Sequence, residues 1–175
     1  MKLVISFSGR MKGNCDMISE YISNPEDEIV YFRDRNIHSC SNCEYECFHG
    51  YCKYHDDDIY DIYSKMTEYD KVVLVVPMYC GNPSSLYFIF NERCQDYFMH
   101  NEDKYEDIIS RLYIIGIYGK QENTPDFIPC FEKWFNCSKY ENHVLGIERH
   151  EYNQKINDSV LNIEEVKERL REFLG

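Results

Sequence analysis

The chain contains no alanine, no long apolar run and few basic residues for its size. The missing alanine, beside plentiful Ile, Tyr, Asn and Lys, reads as genome-composition bias and carries no functional weight. No apolar stretch approaches the roughly 18–20 residues that a membrane span needs, so no membrane role is expected. Lys2 precedes the apolar stretch Leu3–Phe7, which is far too short for a signal peptide and reads instead as a first strand. A cytoplasmic location is therefore expected. Lys and Arg number 19 against 31 Asp and Glu, a net charge of −12. Nucleic acid and anionic membrane both need a basic face, so neither is expected as a partner, while a basic protein remains open.

With 175 residues, 43% of them hydrophobic and 29% charged, the chain suits one globular domain over 1–175. Its elements alternate. Leu3–Phe7 is a strand ending in a Ser-Gly turn. A helix from Asn14 to Ile22 follows, stopped by Asn24-Pro25. Glu28–Phe32 is a second strand, and Ile59, Ile62, Tyr63, Met66 and Tyr69 mark one face of a second helix. Lys71–Pro77 is a continuous β-branched run, as expected of a strand buried on both faces of a parallel sheet. Asn82-Pro83 resembles an N-cap with proline at the first helical position, opening a helix that turns Leu86, Ile89 and Phe90 inward. Leu112–Ile117 and Val144–Ile147 are two further strands. The region from Gln121–Asp126 through Tyr140 is a connection with some helix around Phe131 to Phe135. Asn162 and Glu165 start a last helix whose stripe is Ile163, Val166, Leu170 and Phe173. Five strands alternating with helices predict an α/β, doubly wound parallel sheet with helices on both faces. Ligands then bind at the carboxyl ends of the strands, where strand order reverses.

The first such loop is Ser6 to Cys15. Gly9 and Gly13 let its backbone curl so that amides and the helix N-terminus face an anion. Ser8, Asn14, Arg10 and Lys12 add donors and local positive charge, which a phosphate needs in so acidic a chain. The alternative is an ordinary glycine-containing βα turn. The Gly-Lys-Ser/Thr ending of a Walker A loop is missing. Tyr21 stands where a Cys-x5-Arg phosphatase loop on Cys15 would need its arginine. After the third strand, Pro77, Met78, Tyr79, Cys80, Gly81 and Asn82 place an aromatic beside Gly and Asn, which suits a flat cofactor as well as a plain turn. Pro77 ends the strand where a response-regulator receiver would carry aspartate.

Nine cysteines in a chain expected in the cytoplasm do not read as a disulfide framework. Cys40, Cys43, Cys47 and Cys52 fall within thirteen residues, in a loop insertion at about 38–55. Four cysteines with gaps of two to four residues suit a cubane iron–sulfur cluster. Zinc, with His38, His49 and His55 as substitutes, and free or transiently paired thiols are the alternatives. Asp56-Asp57-Asp58 reads as a charge run favourable to a helix N-terminus, with no catalytic part.

Ser8, Arg10, Gly13 and Asn14, then the Cys40–Cys52 run, Asp56–Asp58, and finally Pro77, Tyr79 and Gly81 follow in a recognisable order. In that order they resemble the NAD(P)H-dependent FMN reductase and iron–sulfur flavoprotein group of the flavodoxin-like fold, over roughly residues 2–95. The resemblance implies strand order 2-1-3-4-5, FMN phosphate on residues 8–15, the isoalloxazine ring near 77–82, and Tyr118-Gly119-Lys120 on the pyrimidine side. It implies a [4Fe-4S] cluster on Cys40, Cys43, Cys47 and Cys52, although this chain has three residues in the middle gap where the family has two. Cys15 replaces the family's Thr or Ser, and Cys80 replaces a frequent aromatic. The implied activity is an oxidoreductase with NAD(P)H as co-substrate, passing electrons to a small molecule or a redox partner protein. A cluster-free NAD(P)H:FMN or quinone reductase and a non-catalytic electron carrier are the alternatives. Assembly as a homodimer or homotetramer is implied as well. No catalytic acid or base is evident.

Overall fold

The computed structural model describes residues 1–41, 43–120, 122, 125–135, 140, 143–155 and 157–175. Five parallel strands, β1 (Lys2–Ser6), β2 (Glu28–Tyr31), β3 (Lys71–Tyr79), β5 (Leu112–Tyr118) and β6 (Val144–Glu148), lie in the order β2-β1-β3-β5-β6. A two-residue strand, β4 (Asn82–Pro83), folds back antiparallel on the end of β3. Leaving β4 aside, this is the expected 2-1-3-4-5 order, with the reversal between β1 and β3.

Period-two alternation assigns the strand residues to two faces. Leu3, Ile5, Val72, Leu74, Val76 and Ile114 meet α2 (Asp58–Lys65), α3 (Ser85–His100), α4 (Tyr105–Arg111) and α5 (Phe127–Glu132). Val4, Val73, Val75, Ile115, Ile117 and Ile147 meet α1 (Asn14–Ile22) and α6 (Glu164–Leu174). The sheet is doubly wound, and β3 is buried on both sides. Gly116 and Gly146 allow α5 close to β5 and β6, since a methyl group on Gly116 would stand 2.9–3.0 Å from Ile128, Phe127 and Phe131. Among the described residues no helix is long and apolar enough to cross a membrane.

Four local expectations are corrected. Asn82 and Pro83 do not open α3; they belong to β4, and Ser84 is the cap, accepting from the Tyr87 amide. The buried stripe of α3 is Tyr87, Phe90 and Tyr97 with Arg93 and Asp96, and Leu86 and Ile89 are only half-buried against the core. Asn162 does not cap α6: Ser159 caps a short 3-10 turn at Val160–Asn162, and α6 buries Val166, Leu170 and Leu174. In the 121–140 connection, α5 leads into a 3-10 turn at Lys133–Phe135, slightly earlier than expected. Gln121, Asn123, Thr124 and residues 136–139 of that stretch lie outside the described residues.

Candidate functional site

The carboxyl ends of β1, β3, β5 and β6 bring three loops together. At the first, the Phe7 amide continues the β1 ladder onto Val75 O at 2.9 Å, and the chain then curls through Ser8 to Gly13. The Ser8 hydroxyl accepts from the Arg10 amide at 3.1 Å and lies 3.0 Å from its carbonyl, a local turn. Lys12 takes the left-handed region, with φ of 54°. Gly13 precedes α1 as its N-cap and supplies no side-chain cap, so the first-turn amides carry the positive end of the helix dipole toward the loop. Arg10, Met11 and Gly9 are exposed, and the position of a Cβ on Gly9 is open space. An exposed arginine and lysine beside an uncapped helix start suit a phosphate.

Not every predicted ligand faces that loop. The Asn14 side chain is committed to the segment before α6, donating to Asp158 O at 3.3 Å and accepting from the Val160 amide at 3.0 Å. Arg10 reaches the same segment, at Asn157 Oδ1 (3.2 Å). Cys15 is buried with Ile18 in the core between the sheet and α1. Its thiol pKa is pushed far up, first by burial and then by Asp16, so it is an inert packing thiol.

The second loop is a hairpin. Cys80 and Gly81 have φ of 49° and 82°, the pair of left-handed residues that a two-residue type I′ turn requires. Met78 and Tyr79 pair with Pro83 and Asn82 across it, and Asn82 Nδ2 donates to Cys80 O at 3.2 Å. Tyr79 is thereby held at the sheet edge with 47% of its surface exposed, an aromatic face on a fixed turn. Ser84 joins the two loops: its hydroxyl donates to Phe7 O at 2.8 Å and its amide to Pro77 O at 3.2 Å.

The third loop starts at Tyr118, which is half-buried against Phe127 and whose phenol pKa is raised by that burial. The Arg149 and His150 amides donate to Tyr118 O and Gly119 O at 3.0 and 3.2 Å. A Cβ on Gly119 would be 3.6 Å from Met78 Cε and 3.8 Å from His150 Cδ2, so the β3, β5 and β6 ends converge there. His150 was not singled out in the sequence, because only the β5–β6 pairing brings it to this edge.

The Cys-rich segment is docked along α3. Glu92 accepts from the Cys40 amide at 2.6 Å, Asp96 from the Cys52 amide at 3.0 Å, and the His100 ring stands 2.7 Å from Gly50 O. Between them buried Arg93 donates to His38 O (2.9 Å), Tyr54 O (3.0 Å) and Asp57 Oδ2 (2.7 Å). Asp57 also caps α2 through the Ile59 amide and Asp58 lies in its first turn, so the acidic triplet stands at a helix N-terminus as expected, with the Arg93 pair in addition. Cys40 is exposed, Cys43 and Cys47 half-buried, and Cys52 buried. Among the described residues, no three His, Cys, Asp or Glu side chains are arranged to hold a metal ion. The thiol pKa values of Cys40 and Cys47 are raised, first by burial and then by Glu92 and Asp96 respectively. Iron–sulfur ligation needs thiolates in one place, and the thiols of Cys40 and Cys47 each also feel the charges of Cys43 and Cys52.

No family model matches the chain. An iron–sulfur flavoprotein of Archaeoglobus fulgidus is 38% identical over 61 residues, which is 35% of this chain and 29% of that protein's length. The match thus spans less than a third of that relative. Among solved structures, the Trp repressor binding protein of Bacillus subtilis aligns with a TM-score of 0.69 at 15% identity, covering 100% of this chain and 98% of the other. An FMN-dependent NADH-azoreductase of Bacillus anthracis, solved in complex with FMN, aligns with a TM-score of 0.59 at 9% identity, covering 99% of each chain. These comparisons, with the strand order, bear out a flavodoxin-like α/β fold and the resemblance to the NAD(P)H-dependent FMN reductase and iron–sulfur flavoprotein group.

Proposed function

We propose that this chain binds FMN at the carboxyl edge of β1, β3 and β5 and acts as an NAD(P)H-dependent oxidoreductase toward a small molecule or a redox partner protein. The observation that carries this reading is the uncapped start of α1, flanked by Arg10 and Lys12, at the reversal between β1 and β3. A phosphate there would meet amides, an arginine and a lysine, a donor set chemically suited to a dianion. Tyr79 on its fixed hairpin offers an aromatic face to a flat ring, and Met78, Gly119 and His150 border the same edge. Bound FMN would supply the capacity to accept a hydride and release electrons one or two at a time. The chain's own residues hold the phosphate, orient the ring and leave one side open to a second substrate.

Whether Cys40, Cys43, Cys47 and Cys52 carry an iron–sulfur cluster beside the flavin, or the chain is a cluster-free NAD(P)H:FMN or quinone reductase, is read from the iron content of protein purified without oxygen. Assembly as a homodimer or homotetramer belongs to the same reading, and light scattering tests it.

The test is the visible spectrum of protein purified without oxygen and mixed with FMN, followed by NADH or NADPH. A two-banded flavin spectrum bleached by either nucleotide is expected. A broad, reducible background would restore the iron–sulfur alternative. Bleaching by a partner protein but not by nucleotide would make the chain an electron carrier. No flavin spectrum at all would overturn the FMN reading.

A further inference from the structure

Asp16 stands in the first turn of α1, where a carboxylate would repel the phosphate that the loop is suited to attract. It is buried at 2% exposure and surrounded by donors. The Ser6 hydroxyl donates to Oδ1 at 2.8 Å, the Lys12 amide to Oδ2 at 2.7 Å, and Arg33 Nη1 to Oδ1 at 2.9 Å. Arg33 comes from the turn after β2, and the same Nη1 also donates to Ser8 O at 3.2 Å. Its side chain is only 13% exposed. One carboxylate and one guanidinium therefore tie together the end of β1, both halves of the loop, the start of α1 and the strand next door.

Two consequences follow from that arrangement. The left-handed conformation of Lys12 is disfavoured for a non-glycine residue, and the bond from its amide to Asp16 helps to hold it. The guanidinium also cancels the charge of Asp16, so the loop keeps the positive potential of the helix start, Arg10 and Lys12. We propose that Asp16 and Arg33 are paired positioning residues for the phosphate: Asp16 sets the loop's shape before ligand arrives, and Arg33 stops Asp16 from repelling it. The proposal rests on the FMN reading of this loop. It is a case of pre-organisation, in which the ordering cost falls on folding and not on binding.

The sign of the mutant effects is distinctive. Removing Arg33 alone strands a buried carboxylate beside the anion, whereas removing both charges does not. The test titrates FMN and riboflavin into apo-protein by flavin fluorescence quenching, with circular dichroism confirming that each variant is folded. Riboflavin carries the ring without the phosphate. Arg33→Gln is expected to weaken FMN binding by about 30-fold and riboflavin by less than about 3-fold, as an uncompensated buried carboxylate beside the phosphate implies. Asp16→Asn in the same protein is expected to recover about tenfold of that loss. Equal loss of both flavins, unchanged FMN affinity, or a double variant no better than Arg33→Gln would overturn the pairing. A wild type that binds no FMN would overturn the FMN reading instead. The pair would then be judged by inorganic phosphate: a rise of Tm in wild type that Arg33→Gln abolishes supports it, and no difference between the two rejects it.

Discussion

Replacing Arg93 by methionine should be among the most damaging substitutions outside the apolar core. Its guanidinium is 3% exposed and its partner Asp57 1%, with Nη1 and Oδ2 2.7 Å apart. Removing one member of a buried pair leaves the other charge uncompensated, at a cost of about 3–5 kcal/mol. Asp57 cannot move to water to escape that cost, because it also caps α2 and accepts from the His38 amide at 3.1 Å. The carbonyls of His38 and Tyr54 lose their donor in the same step. A loss of about 4 kcal/mol is a large part of a typical domain stability of about 5–15 kcal/mol. With a urea m-value of about 2 kcal/mol/M, the midpoint should fall by about 2 M at unchanged m. Adding Asp57→Asn to Arg93→Met removes the stranded charge, so the double variant should be more stable than Arg93→Met alone. The assay is urea denaturation followed by circular dichroism, with limited proteolysis of residues 38–55 below the transition as a second readout. A midpoint shift worth less than about 1 kcal/mol, or a double variant no better than the single one, would refute the reasoning.

Gly116→Ala should destabilise by about 1–3 kcal/mol through overpacking, because its methyl would press on the buried rings of Phe127 and Phe131. A thermal melt that shows no fall in Tm would mean that α5 does not pack this closely on β5. Asp27 gives a pH signature. Burial opposes its ionisation, but the amides of Asn24 and Lys2 and the Lys2 ammonium outweigh burial and hold its carboxyl below the usual range. A depressed folded pKa stabilises above the unfolded value near 3.9 and is lost as pH falls through the folded value. Asp27→Asn should therefore lower stability at pH 7, with the difference from wild type shrinking below about pH 4; a difference constant with pH would contradict the assignment.

The outline of the fold was legible because hydrophobic periodicity is a local signal. The run Lys71–Pro77 marked the central strand, and Ile59, Ile62 and Tyr63 marked a buried helix face, both as found, whereas Met66 starts a 3-10 turn after α2 and Tyr69 lies in extended chain beyond it. The glycine loop after the first strand and the turn near Tyr79 fell at the sheet's carboxyl edge for the same reason: strand ends are set by composition, and their position relative to the reversal follows from strand order. The start of α3 is ambiguous in the sequence because Asn-Pro satisfies both an N-cap and a hairpin arm, and only pairing of Pro83 with Met78 decides between them. Buried charges were not legible either. Arg93 and Asp96 look like solvated residues of a helix until the Cys-rich segment docks on them.

By itself the sequence determined the alternation of strands and helices, the burial of β3, the acidity of the chain and the loops at which an anion or a flat ring could bind. Tertiary structure alone decided which side chains serve those loops. Asp16 and Arg33 are seventeen residues apart and Asp57 and Arg93 thirty-six, and nothing in local spacing pairs them. It also decided that Asn14 faces Asp158 and Val160, and that Cys15 packs in the core. The four clustered cysteines show the same division. Their spacing allows one ion to be surrounded, but the loop that carries them is held in place by the amides of Cys40 and Cys52 on Glu92 and Asp96, contacts made across more than forty residues of chain.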